Sequence, residues 1–365
     1  MRDLAKELIA MGHSVTILTS GPQFENHAGM QILMDSLTAT GVRIQHMDYP
    51  KSGSKWGYLR RLPGAAWATY RYLKKEKFDI VHVHTPVLAF IPKIFGFKFV
   101  TTIHLAQLKL GICQQKPTHQ IAISEEVYKE SLQNGLKKEN VSLIFNGVDK
   151  KYAEDASAET KADLMRRFNI LPPPPSQQRA DDEVVIGFVG TLCHRKGIDL
   201  LLRAGANLYE KGHKRFRIVL LGNYDSASEK ETFSRLMKEA RGERFLSVVG
   251  YQSPEMFYKI FDIFVLPSRL EGFGLVVIEA MLSGCCCVRS NTQGAYDQID
   301  SGKTGYLFEN ENVEELTETL KFLIENPEKR KEVARAGKEK ALAKFTSEVM
   351  AKNTLSVYKK VLNEY

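Results

Sequence analysis

The chain has 365 residues, 43% of them apolar and 26% charged, with a formal net charge of +8. That length suggests two domains of ordinary size, and the composition is that of a globular protein able to bury a sizeable core. No stretch approaches the roughly 18 uninterrupted apolar residues of a membrane span. The opening MRDLAKELIAMGH lacks the apolar centre of a signal peptide, so a cytoplasmic address is expected by default.

The charge is unevenly spread. Residues 1–150 hold 19 Lys and Arg against 12 Asp and Glu, and the rest hold 32 against 31. A basic first half calls for an anionic partner, either a phosphate-bearing acceptor or an anionic membrane surface. Nucleic acid fits less well, because no Arg-rich arm or nucleic-acid motif accompanies the charge. Of the five cysteines, Cys113 and Cys193 stand apart, and Cys285, Cys286 and Cys287 run together in GCCCVRS. That run reads as a small-residue buried strand. No C-x-x-C pair or zinc-like spacing exists, so the cysteines are expected to be reduced and structural, with no metal held.

In chain order, Leu4, Leu8, Ile9 and Met11 recur at helical spacing until Gly12 stops the helix. HSVTILTS follows as a β-branched strand. GVRIQHM, FDIVHVH, FKFVTTIH, HQIAIS and VSLIFNGV repeat the pattern, with helical stretches between several of them. Such alternation predicts a parallel, doubly wound sheet. Residues 55–75 carry both tryptophans, three tyrosines and a cluster of Arg and Lys. The mix suits a helix lying on a membrane surface or, equally, a sheet-covering helix with a basic outer face. Pro63 and Gly64 argue against one continuous helix there.

LPPPPSQQRADD, residues 171–182, reads as a rigid polar linker. Beyond it EVVIGFVGTL, KGIDLLLRAGANL, FRIVLLG, FLSVVG, DIFVLPS, GLVVIEAML, GCCCVRS and GYLFEN rebuild the same alternation, and an amphipathic tail closes the chain. Two parallel sheets bind ligands at the carboxyl ends of their strands, so a site is expected where two such edges face.

The strongest chemical signal is SRLEGFGLVVIEAM, residues 268–281. Glu271 lies at a turn, and Gly272, Phe273 and Gly274 lead into an apolar helix that holds Glu279. Exposed N–H groups at such a helix start favour anionic or polar ligand atoms. Eight residues of helix span about 12 Å, against roughly 5–9.5 Å for the paired carboxylates of glycoside hydrolases. The two glutamates therefore suit the opposite ends of one long ligand. Gly302-Lys303-Thr304 is not a phosphate loop, because Asp297 stands where the first glycine is needed.

This segment resembles the signature of retaining GT-B glycosyltransferases of family 4. FDIVHVH, NGVD at 146–149, GFVGTLCHRKGIDLLLRA and DSGKTGYLFE resemble further family segments in the same order. The resemblance implies an α/β fold of two Rossmann-like domains facing across a cleft. An acceptor-side domain would cover residues 1–150 and a nucleotide-sugar domain 151–345, with residues 346–365 returning to the first domain. It implies sugar transfer from a nucleoside diphosphate sugar, by default a UDP-sugar, with no cofactor, to a cell-envelope glycan or lipid-linked acceptor.

By the same resemblance Lys196 binds the diphosphate and His104 meets the transferred sugar. Gly190 belongs to the phosphate-binding strand-loop segment, and Gly250 and Tyr251 hold the base. Glu271 is catalytic, and Glu279 with the Gly272–Gly274 turn binds donor. His82 and His84 read as packing residues, and Glu125 as a helix-start residue before a site residue.

Three departures matter. Thr191 stands where the family often has an arginine, with Arg195 as a candidate substitute. NTQGAYDQI replaces a double-glycine form. The chain also opens at a helix that the family precedes with a strand and a Gly-rich loop, which would leave the first sheet with unpaired backbone in its middle. That last departure sustains a rival reading, a catalytically inactive GT-B homologue acting as a binding or regulatory subunit. A GT-B epimerase is disfavoured by the signature.

Overall fold

The computed structural model describes residues 1–19, 34–47, 55–104, 118–168, 170 and 183–363. The chain divides into two units, Met1–Gly147 with Ser347–Tyr365, and Val148–Thr346.

In the first unit, helix α1 (Arg2–Ala10) buries Leu4, Ala5 and Leu8 and ends at Gly12, whose φ is +87°. Strand β1 (Thr16–Thr19) then pairs in parallel with β2 (Arg43–His46). Helix α2 (Lys55–Glu76) is continuous through Pro63, contrary to the break expected there. Burial of Ala65, Ala66, Thr69 and Leu73 on one face carries it through the turn where proline removes a donor. Strands β3 (Val81–Val83), β4 (Phe99–Ile103), β5 (His119–Ala122) and β6 (Val141–Leu143) form a second parallel sheet in that order. Helix α3 (Glu125–Gln133) starts at Ser124, whose side chain accepts the Val127 N–H, so Glu125 occupies its first turn. One core cluster joins Leu4 and Leu8 to Val100, Ile121 and Ile144. It also takes in Met350, Val357, Tyr358 and Val361 of the C-terminal helix Ser347–Asn363.

Among the described residues the two sheets of this unit do not join, and strands β1 and β3 each pair with a single neighbour. Between them lies a cavity of about 550 Å³, with Thr16, Ile17 and Leu18 on one wall and Val81, His82 and Val83 on the other.

The second unit holds one parallel sheet of β7 (Val184–Val189), β8 (Phe216–Leu221), β9 (Leu246–Gly250), β10 (Ile263–Leu266), β11 (Cys286–Ser290) and β12 (Tyr306–Phe308). The spatial order is β12-β11-β10-β7-β8-β9. Strands β7, β10 and β11 are buried along their whole length, as their unbroken apolar runs require of a sheet covered on both faces. Cys193, Cys285, Cys286 and Cys287 are free and buried, and burial pushes the Cys286 thiol up to about 12. Cys113 lies outside the described residues.

At the carboxyl ends of β3 and β4 three histidines meet. His82 Nδ1 is 2.6 Å from the Tyr358 hydroxyl, and its Nε2 is 2.7 Å from that of Thr102. His84 Nδ1 is 3.1 Å from His104 Nε2. Burial, reinforced by His104, lowers His82 to about 3, and burial lowers His84 and His104 as well. The unfolded chain takes up these protons near the ordinary histidine value of 6.5. Stability from the neutral imidazoles is therefore fully present above that pH and is lost as pH falls toward 3. Each histidine contributes a slope of at most about 1.4 kcal/mol per pH unit. Thermal unfolding followed from pH 8 to 4 is expected to show Tm falling below pH 6.5, with a shallower fall in His82→Gln; equal slopes in the two proteins would refute the assignment.

Candidate functional site

The order of strands in the second unit reverses between β7 and β10, because β8 and β9 extend one way and β11 and β12 the other. In an open parallel sheet the crevice beyond such a reversal is where ligands bind. The loops that follow β7 and β10 meet there.

After β7, Gly190 hydrogen-bonds the Leu221 carbonyl at 3.0 Å, and the chain then tightens into a single turn, His194–Lys196. Gly197 follows with φ +70° and starts helix α4 (Ile198–Glu210). A Cβ at Gly197 would stand 1.9 Å from the Pro267 carbonyl oxygen, so glycine alone lets the two loops touch. Lys196 Nζ donates to Glu271 Oε2 at 2.5 Å, and the two side chains are only 15% and 13% exposed. Ser268 Oγ lies 3.4 Å from the same oxygen, and the Gly272 N–H lies 3.3 Å from Glu271 Oε1.

Arg269 staples these loops together. Its guanidinium donates to both carboxylate oxygens of Asp199 at 2.7 and 2.8 Å and to the His194 carbonyl at 2.6 Å. Its backbone N–H bonds the Arg195 carbonyl at 2.9 Å. Burial opposes charge on Asp199, yet the guanidinium holds its carboxyl below the usual range. Arg195 itself is exposed and donates to the Leu270 carbonyl at 3.3 Å.

Gly274, at φ +75°, opens helix α5 (Leu275–Leu282). Within it Glu279 accepts the Tyr258 hydroxyl at 2.7 Å, and burial, with Glu279 beside it, pushes that phenol well above its ordinary range. Phe273 is buried, whereas Tyr251, after β9, is 73% exposed. Gly250 turns at φ +81° and accepts the Gly222 N–H at 2.9 Å.

Behind the turn lies a feature that the sequence reading passed over. Arg289 on β11 is fully buried. It donates to the carbonyls of Phe273 at 3.2 Å and Gln293 at 3.1 Å, to Thr292 Oγ1 at 3.2 Å, and to Gln298 Oε1. Gln298 closes the short helix α6 (Ala295–Gln298), is also fully buried, and donates to the Phe273 carbonyl. One arginine ending a buried apolar strand was the available signal. The structure thus brings together Lys196, Glu271, Gly272, Phe273 and Gly274, with Arg195 and Glu279 on the adjoining elements. His104 belongs to the first unit.

These features define a class. The family profile Glycosyltransferase Family 4 matches residues 1–152, and Glycosyl transferases group 1 matches residues 174–340. The chain belongs to these glycosyltransferases, and its two parallel α/β units are those of the GT-B fold. It is 24% identical to a glycosyltransferase of Methanocaldococcus jannaschii over 98% of this chain and 92% of that one. It is 25% identical to the capsular polysaccharide biosynthesis glycosyltransferase CapM of Staphylococcus aureus over 74% and 67%. Among solved structures, a glycosyltransferase of Rickettsia africae ESF-5 superposes with a TM-score of 0.83 at 20% identity, covering 100% of this chain and 94% of that one. Anabaena HepE in complex with UDP and glucose gives 0.80 at 16% identity, covering 98% and 95%.

A side chain at residue 197 must adopt left-handed backbone, at about 1–3 kcal/mol, and displace the Pro267 carbonyl as well. Gly197→Ala is expected to lower the Tm of the second unit by at least about 4 °C; an unchanged melting curve would contradict the close approach.

Proposed function

We propose that this chain moves a sugar from a UDP-sugar to a cell-envelope glycan or lipid-linked acceptor, with retention of configuration and without a metal ion. The observation that carries the reading is the Lys196–Glu271 pair at the strand-order reversal. Lys196 and the starts of α4 and α5 supply positive potential for the departing diphosphate. Glu271, at the turn, meets the sugar, and Glu279, within α5, reaches the other end of the donor. The turn at Gly250 and Tyr251 receives the base, Gly190 leaves room for the phosphates, and Arg195 supplies a second cation. In the first unit, His104 is the residue we assign to sugar binding. HepE, which shares the fold, is described with UDP and glucose, and CapM acts in capsular polysaccharide biosynthesis; both support this donor and acceptor class.

A panel of nucleotide sugars tests the donor. The correct one at 100 times its Kd raises stability by about 2.7 kcal/mol. Lys196→Ala and Glu279→Ala should each weaken UDP-sugar binding about ten-fold or more. Glu271→Ala should abolish most turnover yet leave UDP affinity equal or higher, because it frees Lys196 from its carboxylate. Normal turnover in that variant would remove Glu271 from the reaction.

One observation favours the second reading, a donor-binding subunit without transfer activity: among the described residues of the first unit no strand joins β1 to β3, and a cavity lies between them. UDP-sugar binding with no turnover on any acceptor would select the second reading.

For the anionic surface, the face of α2 offers Trp67 at 55% exposure, and Ile94, next to the Phe95 ring that lies 6.4 Å from that of Trp67, is 69% exposed. Tyr70 stacks on Phe95 at 4.3 Å, with Lys74 over its ring at 5.6 Å. Aromatic side chains flanked by lysines suit a headgroup layer. No helix among the described residues is long and apolar enough to cross a membrane. Co-sedimentation with vesicles containing phosphatidylglycerol is expected, falling sharply in Trp67→Ala with Ile94→Ser and in high salt; equal sedimentation with neutral vesicles would refute the surface.

A further inference from the structure

The buried guanidinium of Arg289 does more than fill space under the Glu271–Gly274 turn. Every hydrogen-bond partner described for it is neutral: the carbonyls of Phe273, Ser290 and Gln293, the Thr292 hydroxyl and the Gln298 amide oxygen. Its charge is therefore solvated by dipoles, an arrangement stable only when each dipole is well aimed. Burial lowers its ionisation to about 10, against the opposing pull of Glu271 and Asp297, so the group stays charged at neutral pH.

Geometry ties that charge to the turn. A Cβ built on Gly274 would lie 3.4 Å from Arg289 Nη1 and 3.3 Å from Glu271 Cγ, so the guanidinium and the Glu271 side chain flank the start of α5. Gln298 grips the same turn through the carbonyls of Phe273 and, at 3.4 Å, Gly274. Holding those carbonyls fixes the backbone of the turn, whose Gly272 N–H lies 3.3 Å from Glu271 Oε1. Glu271 meanwhile already faces one cation, Lys196, at 2.5 Å. A single carboxylate thus stands between a largely buried and a fully buried positive charge, and the half-buried Asp297 is the other acidic group acting on Arg289.

We propose that Arg289 and Gln298 form a buried positioning pair that fixes the Glu271–Gly274 turn, and that the Arg289 charge gives the donor pocket its selectivity for a diphosphate over an uncharged nucleoside. The proposal rests on the donor reading above and extends it to two residues that touch no ligand. Its signature differs from that of a packing role. Loss of packing lowers stability and weakens all ligands alike, whereas loss of a fixed charge acts on the phosphates and on the salt dependence of their binding.

The test compares UDP with uridine by calorimetry in the full chain, at low and physiological salt. Arg289→Met with Gln298→Leu replaces the pair by apolar residues of similar size. Expected is a loss of about ten-fold in UDP affinity, uridine binding within about two-fold, and a flatter salt dependence. Arg289→Lys keeps the charge and loses the fork, so it should retain most of the preference for UDP while kcat falls more than KM rises. If the double variant does not fold, this second variant decides: a collapse of the UDP preference in Arg289→Lys overturns the charge argument. An unchanged ratio of UDP to uridine affinity in a folded double variant overturns the proposal outright. A wild-type protein with no preference for UDP over uridine defeats the donor reading itself, a different result from either.

Discussion

A planar guanidinium joins the two loops on which the second unit's chemistry stands. Arg269 spans from the β10 side to Asp199 and the His194 carbonyl on the β7 side, with charge-assisted bonds of 2.6 to 2.8 Å. Such a fork fixes direction as well as distance, which a lysine could not do. Held by it, Lys196 and Glu271 meet although they are 75 residues apart in sequence. The close approach of Gly197 to Pro267 is the steric half of the same constraint.

The β strands were legible because fully buried parallel strands read as continuous β-branched and apolar runs, and residues 184–189 and 263–266 are plain cases. The turn and helix around Glu271 were legible for a local reason as well, since Gly-Phe-Gly before an apolar helix leaves few conformations open. Pairings across the sheet were not. Nothing near Glu279 in sequence indicates that the Tyr258 hydroxyl would sit on its carboxylate. Arg269 stood inside the recognised motif, but its partner lies on another loop. Arg289 looked like a strand end, and its role appears only when β11, α6 and the turn after β10 are assembled.

Pro63 shows the limit of a local rule. Proline removes one donor from a helix, a cost that the buried face of α2 outweighs. The histidines of the first unit show the converse. Read singly, His82 and His84 were packing residues and only His104 carried a role, but the fold sets all three in sequence along one edge, where burial lowers their ionisation. A neutral imidazole keeps one ring nitrogen as donor and the other as acceptor, and His82 uses both, toward Tyr358 and Thr102.

The chain passes from the first unit to the second at Gly147 and back again at Thr346, and the two passages are tied by a bridge between Val148 and Thr346. The first unit is thus discontinuous: its core is sealed by the helix Ser347–Asn363, and His82 receives its tyrosine only from residue 358. Emerging from the ribosome, the opening stretch must wait for residues 347–363 before its own interior can close, while the stretch between the passages already has its described strands in hand. Completion is therefore inverted relative to synthesis, and the unit begun first closes after the one inserted into it.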